Sequence, residues 1–188
     1  MPNICMNSGS KTFPNNVMSG FLANTRLFCG VMFRENKDSE NVVIELESKF
    51  GKISLKSQIF NFNFTDYYKD EMGPNLKKIF VGFENPISPE EIVKIKKSTI
   101  ELEQKFCIKE EGRFRRRVNI DPGYQENGKI VLASTKNRSQ RIYVGEGIYA
   151  EVTLLLGKND CNPLPWTYPD YKTKIACDFF LKLKSFNQ

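Results

Sequence analysis

The sequence predicts an α+β fold: a ferredoxin-like strand-helix-strand-strand-helix-strand core, extended by a β-hairpin portion and a C-terminal helix. Three observations lead there. Short runs with apolar residues at every second position alternate with two stretches whose apolar residues recur every three or four positions. Turn-forming Gly, Pro, Asn and Asp residues separate these segments. The 188 residues are 40% apolar and 27% charged, enough for one core but for no more than one domain with an extension.

Each element follows in order. Residues 1–24 are rich in Asn and Ser and lack the apolar stretch of a signal peptide. They are expected to form a loosely ordered extension, with Met18 as a second candidate start and residues 25–188 as a single domain. Residues 26–33, RLFCGVMF, read as a strand buried on both faces. Asp38 or Ser39 then caps a helix reaching Phe50, with Val43, Leu46 and Phe50 on one stripe and Gly51 as its stop. In ISLKSQIFNFNF, Ile53 and Leu55 alternate with polar residues, and Phe60, Phe62 and Phe64 do so in a shifted phase. That slip predicts a bulge near Ser57 and Gln58.

A polar, aromatic connection over residues 65–78 leads to a strand over 79–83. The helix over 89–107 has the clearest signature. Ser88 and Glu91 form a capping box, Pro89 takes the first helical position, and Ile92, Ile95, Leu102 and Phe106 share a face. Residues 115–121 read as a strand ended by Asp121-Pro122-Gly123. Residues 130–134 are a short apolar segment compatible with strand or helix. Residues 141–144 and 148–156 form a hairpin around Gly145-Glu146-Gly147. An aromatic, Pro-rich loop over 163–171 precedes a last helix with Ile175, Phe179, Leu183 and Phe186 on one face.

Composition removes several chemistries. The chain has no histidine, so Ser-His-Asp triads, Cys-His dyads, His proton shuttles and His-containing zinc sites are excluded. The cysteines are Cys5, Cys29, Cys107, Cys161 and Cys177, an odd number with no C-x-x-C spacing. They predict buried free thiols in a reducing cytoplasm rather than a disulfide framework. Cys107 and Cys177 fall in apolar helical segments and read as core. No apolar run is long enough for a membrane span. The net charge of +6 is local, because residues 113–141 hold eight Lys or Arg against two acidic residues and the remainder is balanced.

That basic stretch carries the main candidate site. On a strand, Arg115, Arg117, Asn119 and Asp121 share one face, while Arg116, Val118 and Ile120 share the other. Guanidinium forks suit phosphate or carboxylate, and a carboxylate at the strand end suits Mg²⁺ or proton transfer. The plainer alternative is an exposed basic strand with Asp121 capping a turn. Lys129, Lys136 and Arg141 add further candidate anion ligands. Gly123 to Lys129 has G-x-x-x-x-G-K spacing, but Ile130 follows where a phosphate loop needs Ser or Thr for Mg²⁺, so the match is read as accidental.

Asp66, Asp70 and Glu71, interleaved with Tyr67 and Tyr68, suit either a divalent cation or a solvated turn. Asp66 and Asp121 are the candidate metal ligands, with Mg²⁺ the candidate cofactor. Glu151 shares a strand face with Tyr149 and Thr153. It is a second candidate catalytic carboxylate beside Asp121, or half of a structural ion pair. Trp166, Tyr168 and Tyr171 suit stacking on a base or sugar, or packing over a core edge.

The segments LFCGVMF, FNFTDYYKDEMGPNLKKIFVGF, RRRVNIDPGY, KIVLASTK, RIYVGEGIYAEVTL and PLPWTYPDY occur in that order. Over about residues 26–186 the chain thereby resembles the bacterial and archaeal domain-of-unknown-function family 4416. The resemblance implies this order of segments but no reaction. Similar sequences often carry a histidine just before R-I-Y, where this chain has Gln140. The leading expectation is a cytoplasmic protein that binds a phosphorylated or otherwise anionic small ligand, a nucleotide included, through the basic strand. RNA binding and a non-enzymatic scaffold role are the alternatives, and enzymatic activity stays open.

Overall fold

Leu27, Cys29, Val31 and Phe33 point to one side of the first strand and Phe28 and Met32 to the other, and all are essentially inaccessible to solvent. A strand buried on both faces must lie at the middle of a sheet with layers on either side. The computed structural model describes residues 25–110 and 112–186 and has that arrangement. In chain order its first half is β1 (Arg26–Phe33), α1 (Asn36–Phe50), β2 (Ile53–Lys56), β3 (Phe60–Asn61), α2 (Lys69–Met72), β4 (Lys77–Pro86) and α3 (Ile92–Lys105). The second half is β5 (Cys107–Glu110), β6 (Arg113–Arg116), β7 (Val118–Glu126), β8 (Lys129–Ser134), β9 (Ile142–Gly145), β10 (Ile148–Leu156), β11 (Cys161–Pro163) and α4 (Lys174–Ser185). The predicted extension over residues 1–24 lies outside the described residues.

The fold is mixed α and β around a large antiparallel sheet of order β11-β10-β8-β7-β1-β4-β2, with β3 also on β4 and β9 also on β10. β5 and β6 form a separate two-stranded ribbon. On one face Val42, Val43 and Leu46 of α1 and Ile95 and Leu102 of α3 pack on Leu27, Val31, Val81 and Ile120. On the other face Ala176, Phe179, Phe180 and Leu183 of α4 pack on Phe28, Phe80, Ile130 and Leu154. Each such fully buried side chain contributes about 1.5–3 kcal/mol. The capping box of Ser88 and Glu91 forms as its spacing predicts, with the Ser88 N–H donating to Glu91 Oε2 at 2.7 Å.

Several expectations change. The strand expected over 115–121 is broken at Arg117, and β7 runs on through Pro122 and Gly123 to Glu126. The hairpin turn falls instead at Asn127-Gly128, where both residues take positive φ, 44° and 77°. That is the backbone shape a two-residue hairpin requires. The bulge expected near Ser57 is a full interruption that separates β2 from β3, both of them paired with β4. The buried stripe of α4 is Ala176, Phe179, Phe180 and Leu183, while Phe186 is exposed.

Cysteine pairing also departs from expectation. Cys161 and Cys177 form a disulfide joining β11 to α4, so the free-thiol reading holds for Cys29, buried in the core, and not for these two. Both elements pack against the same apolar cluster, which brings together cysteines that no spacing motif pairs. Cys107 begins β5 rather than ending a helix. Among the described residues no helix is long and apolar enough to cross a membrane.

Candidate functional site

The site begins with a strand pair that comes apart. β7 pairs with β8 only from Gly123 to Glu126, against Lys129–Leu132. Ahead of Gly123 stands Pro122, which has no N–H for a neighbouring strand. Two residues earlier, on the same strand edge, the Ile120 N–H donates to Glu103 Oε1 at 2.7 Å. The Ile120 carbonyl accepts from Lys96 Nζ at 3.0 Å. Two buried charged side chains of α3 thus occupy the edge that β8 leaves vacant. The diverging ends enclose a cavity of about 520 Å³.

Its floor is an ionic cluster. Lys78 shares a face of β4 with Phe80 and crosses above Gly30, where a Cβ would sit 2.8 Å from Lys78 Cε. Its ammonium donates to Asp170 Oδ2 at 2.6 Å, lies 3.8 Å from Asp121 and stands 5.0 Å from the centre of the Tyr171 ring. Burial works to discharge this lysine, but the Asp170 and Asp121 carboxylates outweigh it and hold its pKa above the ordinary value. Lys78 is therefore a fixed cation at neutral pH, not a nucleophile or base.

One wall comes from β7 and the chain just before it. Asn119 Nδ2 donates to Asp121 Oδ2 at 2.9 Å, and Asn119 Oδ1 accepts from Arg116 Nη1 at 3.0 Å. Arg116 also donates to Glu103 at 3.0 Å and to Glu71 at 2.7 Å. Burial disfavours its charge, and those two carboxylates more than restore it. Asp121 remains 32% exposed in its side chain, whereas the other lining carboxylates, Glu103 and Asp170, are buried. The buried hydroxyl of Tyr171 and the buried Nε of Arg116 have no hydrogen-bond partner in the protein. Burial, then the Asp121 and Asp170 charges, push the Tyr171 phenol well up, so it keeps its proton.

The opposite wall is the segment after β8. Arg141 is a hub, donating to Glu151 at 3.1 Å, to Ser134 Oγ and the Lys136 carbonyl at 2.7 Å, and to Tyr168 OH at 2.6 Å. Lys136 donates to Tyr67 OH at 2.9 Å, and that hydrogen bond lowers the Tyr67 pKa. Lys136 and Arg138 are exposed and have no carboxylate partner among the described residues. Phe62, Phe64, Tyr67 and Tyr68 supply an aromatic side, with the Tyr67 and Tyr68 rings edge to face at 5.0 Å.

The expected row of Arg115, Arg117, Asn119 and Asp121 does not form. The break at Arg117 shifts the side-chain phase, so Arg116 joins Asn119 and Asp121 at the cavity. Arg115 pairs with Glu110 on the separate ribbon, and Arg117 pairs with Glu35 and Asp38. Lys129 pairs with Glu126 at the hairpin and does not line the cavity. Trp166 donates its indole N–H to the Val152 carbonyl at 2.8 Å, covering the edge of β10 rather than lining the cavity.

Asn119, Asp121, Lys136 and Arg141 do line it. Glu151 stands behind Arg141 as the buried half of an ion pair, which makes it a positioning residue. Asp66 pairs with Lys69 at 2.7 Å and is apart from the cavity lining, so it does not join Asp121 as a metal ligand. Among the described residues no group of three or more Cys, Asp or Glu side chains is arranged to hold a metal ion.

Lys78, Lys96, Glu103, Arg116, Arg138 and Asp170 were missed from sequence. A signal existed for three of them. Lys78 alternates with Phe80 on a strand, and Lys96 and Glu103 fall two turns apart beside the buried Thr99. Charges at buried positions of the local period are uncommon unless they are paired or functional.

The family described as a domain of unknown function (DUF4416) matches residues 23–186. No curated protein and no solved structure matches the chain.

Proposed function

We propose that this chain, which belongs to the DUF4416 family, binds a small phosphorylated or otherwise anionic ligand, nucleotides included, in the cleft between β7 and β8. One observation carries the reading. The cleft mouth holds two cations, Lys136 and Arg138, with no carboxylate to neutralise them, while the other lining cations face carboxylates. Fixed cations beside a sheltered cavity attract anions more strongly than the same charges on a flat surface. The reading takes β7-β1-β4-β2, with α1 and α3 on one face, as a ferredoxin-like core. The strands from β8 onward are then the addition that supplies the second wall.

Thermal-shift and calorimetric titrations with inorganic phosphate, nucleotides and sugar phosphates, with and without Mg²⁺, test it. A ligand at ten times its Kd stabilises the fold by about 1.4 kcal/mol. Lys136→Ala with Arg138→Ala is expected to remove the shift without lowering the stability of the free protein, since both side chains are exposed. No shift with any phosphorylated ligand at millimolar concentration would overturn the reading.

An assembly role has one observation in its favour: Ile142, Tyr143 and Val144 of β9 are exposed together. Light scattering after gel filtration checks it, and a strictly monomeric chain with no stable partner counts against it. RNA binding relied on Arg115 and Arg117, whose guanidinium groups hold Glu110, Glu35 and Asp38 here.

A further inference from the structure

We propose that the cleft takes its ligand head first, with a neutral polar ring inside and a phosphate at the mouth. This rests on the anion-binding reading above and names the class of ligand and its orientation. The chemistry is that shared by nucleoside monophosphates and sugar monophosphates.

The charge of the lining divides by depth. Inside, Lys78, Lys96 and Arg116 stand against Glu103, Asp121 and Asp170, and the cations are already engaged. An anionic group there would meet those carboxylates. The surplus positive charge lies outside, on Lys136 and Arg138. A phosphate belongs where the cations are unneutralised and solvent can reach its oxygens.

The interior asks for something else. The Tyr171 hydroxyl and the Arg116 Nε–H are buried donors without acceptors in the protein, and both residues line this one cavity. Leaving two such donors unmatched is costly, so they call for acceptor atoms on a guest. Asp121, still partly exposed and held by Asn119, calls for a donor. A head offering both acceptors and donors satisfies all three, as a nucleobase edge or a cyclic sugar does. A compact inorganic anion offers only acceptors. The aromatic side of Phe62, Phe64, Tyr67 and Tyr68 presents surfaces against which a ring packs. The cavity volume of about 520 Å³ lies in the range of small-molecule sites and accommodates one such ligand.

Calorimetry on the full chain separates the possibilities. The probes are four nucleoside 5′-monophosphates, glucose 6-phosphate and inorganic phosphate. At least one head-bearing phosphate is expected to bind tenfold or more tightly than inorganic phosphate. A preference for nucleotides assigns the head as a base, and a preference for glucose 6-phosphate assigns it as a sugar. Tyr171→Phe keeps the ring and removes only the unpaired hydroxyl, so the fold is retained. It is expected to weaken the preferred head-bearing ligand about tenfold and to leave inorganic phosphate unchanged. Lys136→Ala with Arg138→Ala weakens every probe.

Inorganic phosphate binding as tightly as all head-bearing probes would overturn the head-first orientation while leaving the anion site standing. An unaltered affinity of the preferred ligand for Tyr171→Phe would overturn it as well. If no probe binds, the anion-binding reading itself falls, and the orientation falls with it.

Discussion

Glu103 does two jobs with one carboxylate. It accepts the Ile120 N–H that β8 leaves unpaired, and it receives Arg116 at the cavity wall. Its burial raises its pKa, with Lys96 the main opposing influence. The sign follows from linkage. As pH rises above the ordinary glutamate value, the unfolded chain ionises Glu103 first and the folded chain resists, so this residue's contribution to stability falls with rising pH. The stability advantage of wild type over Glu103→Gln is therefore expected to shrink as pH rises from the ordinary value of 4.5 upward, and then to level off once the folded-state value is passed. Urea unfolding at a series of pH values measures it, and an advantage that grows over that interval would contradict the assignment. At this scale the site was half legible. Asn119, Asp121, Lys136 and Arg141 stand in a stretch whose residue types advertise anion chemistry. Lys78 and Glu103 stand in segments that read as core, because burial and pairing, not residue type, give them their roles.

At the scale of elements, the β7–β8 pair decides where the cleft lies. Gly123 is the last paired residue before the strands part, and a Cβ there would fall 2.3 Å from the Val131 carbonyl oxygen and 2.5 Å from the Phe28 ring. One neighbour is partner-strand backbone and the other a fully buried ring, so neither yields readily. Gly123→Ala is expected to destabilise the protein by roughly 3 kcal/mol, as overpacked cores do. Its denaturation midpoint checks this, and a midpoint unchanged from wild type would mean the strands re-space freely. Helix α3 was legible because its capping box and its apolar period agree on one structure. The strand over 115–121 was misread because Asp121-Pro122-Gly123 carries a turn signature that pairing with β1 overrides. Pro122 sits opposite Cys29 in that pairing, with its missing N–H turned to the open edge.

For the whole molecule, the disulfide closes a loop that carries part of the cavity. Between Cys161 and Cys177 lie Tyr168, Asp170 and Tyr171, which supply the Arg141 partner, the Lys78 partner and an unpaired hydroxyl. A cross-link over about this many residues restricts the unfolded chain and stabilises the fold by about 3 kcal/mol. Cys161→Ser with Cys177→Ser is expected to lower the melting temperature, and a dithiol reductant on the wild type is expected to match it. A melting temperature indifferent to both changes would remove the bond from the stability of the fold. Taken alone, the sequence determined the α+β class, the buried first strand, the capped helix and the location of the positive charge. These are local matters: side-chain period, turn chemistry and composition act over a few residues and leave their mark there. Tertiary structure alone decided that Arg116 rather than Arg115 or Arg117 faces the cavity, that Lys78 meets Asp170 ninety-two residues away, and that Cys161 meets Cys177. Those outcomes depend on how sheet order, strand divergence and helix packing bring distant segments together, and no short stretch of chain encodes which distant partner will arrive.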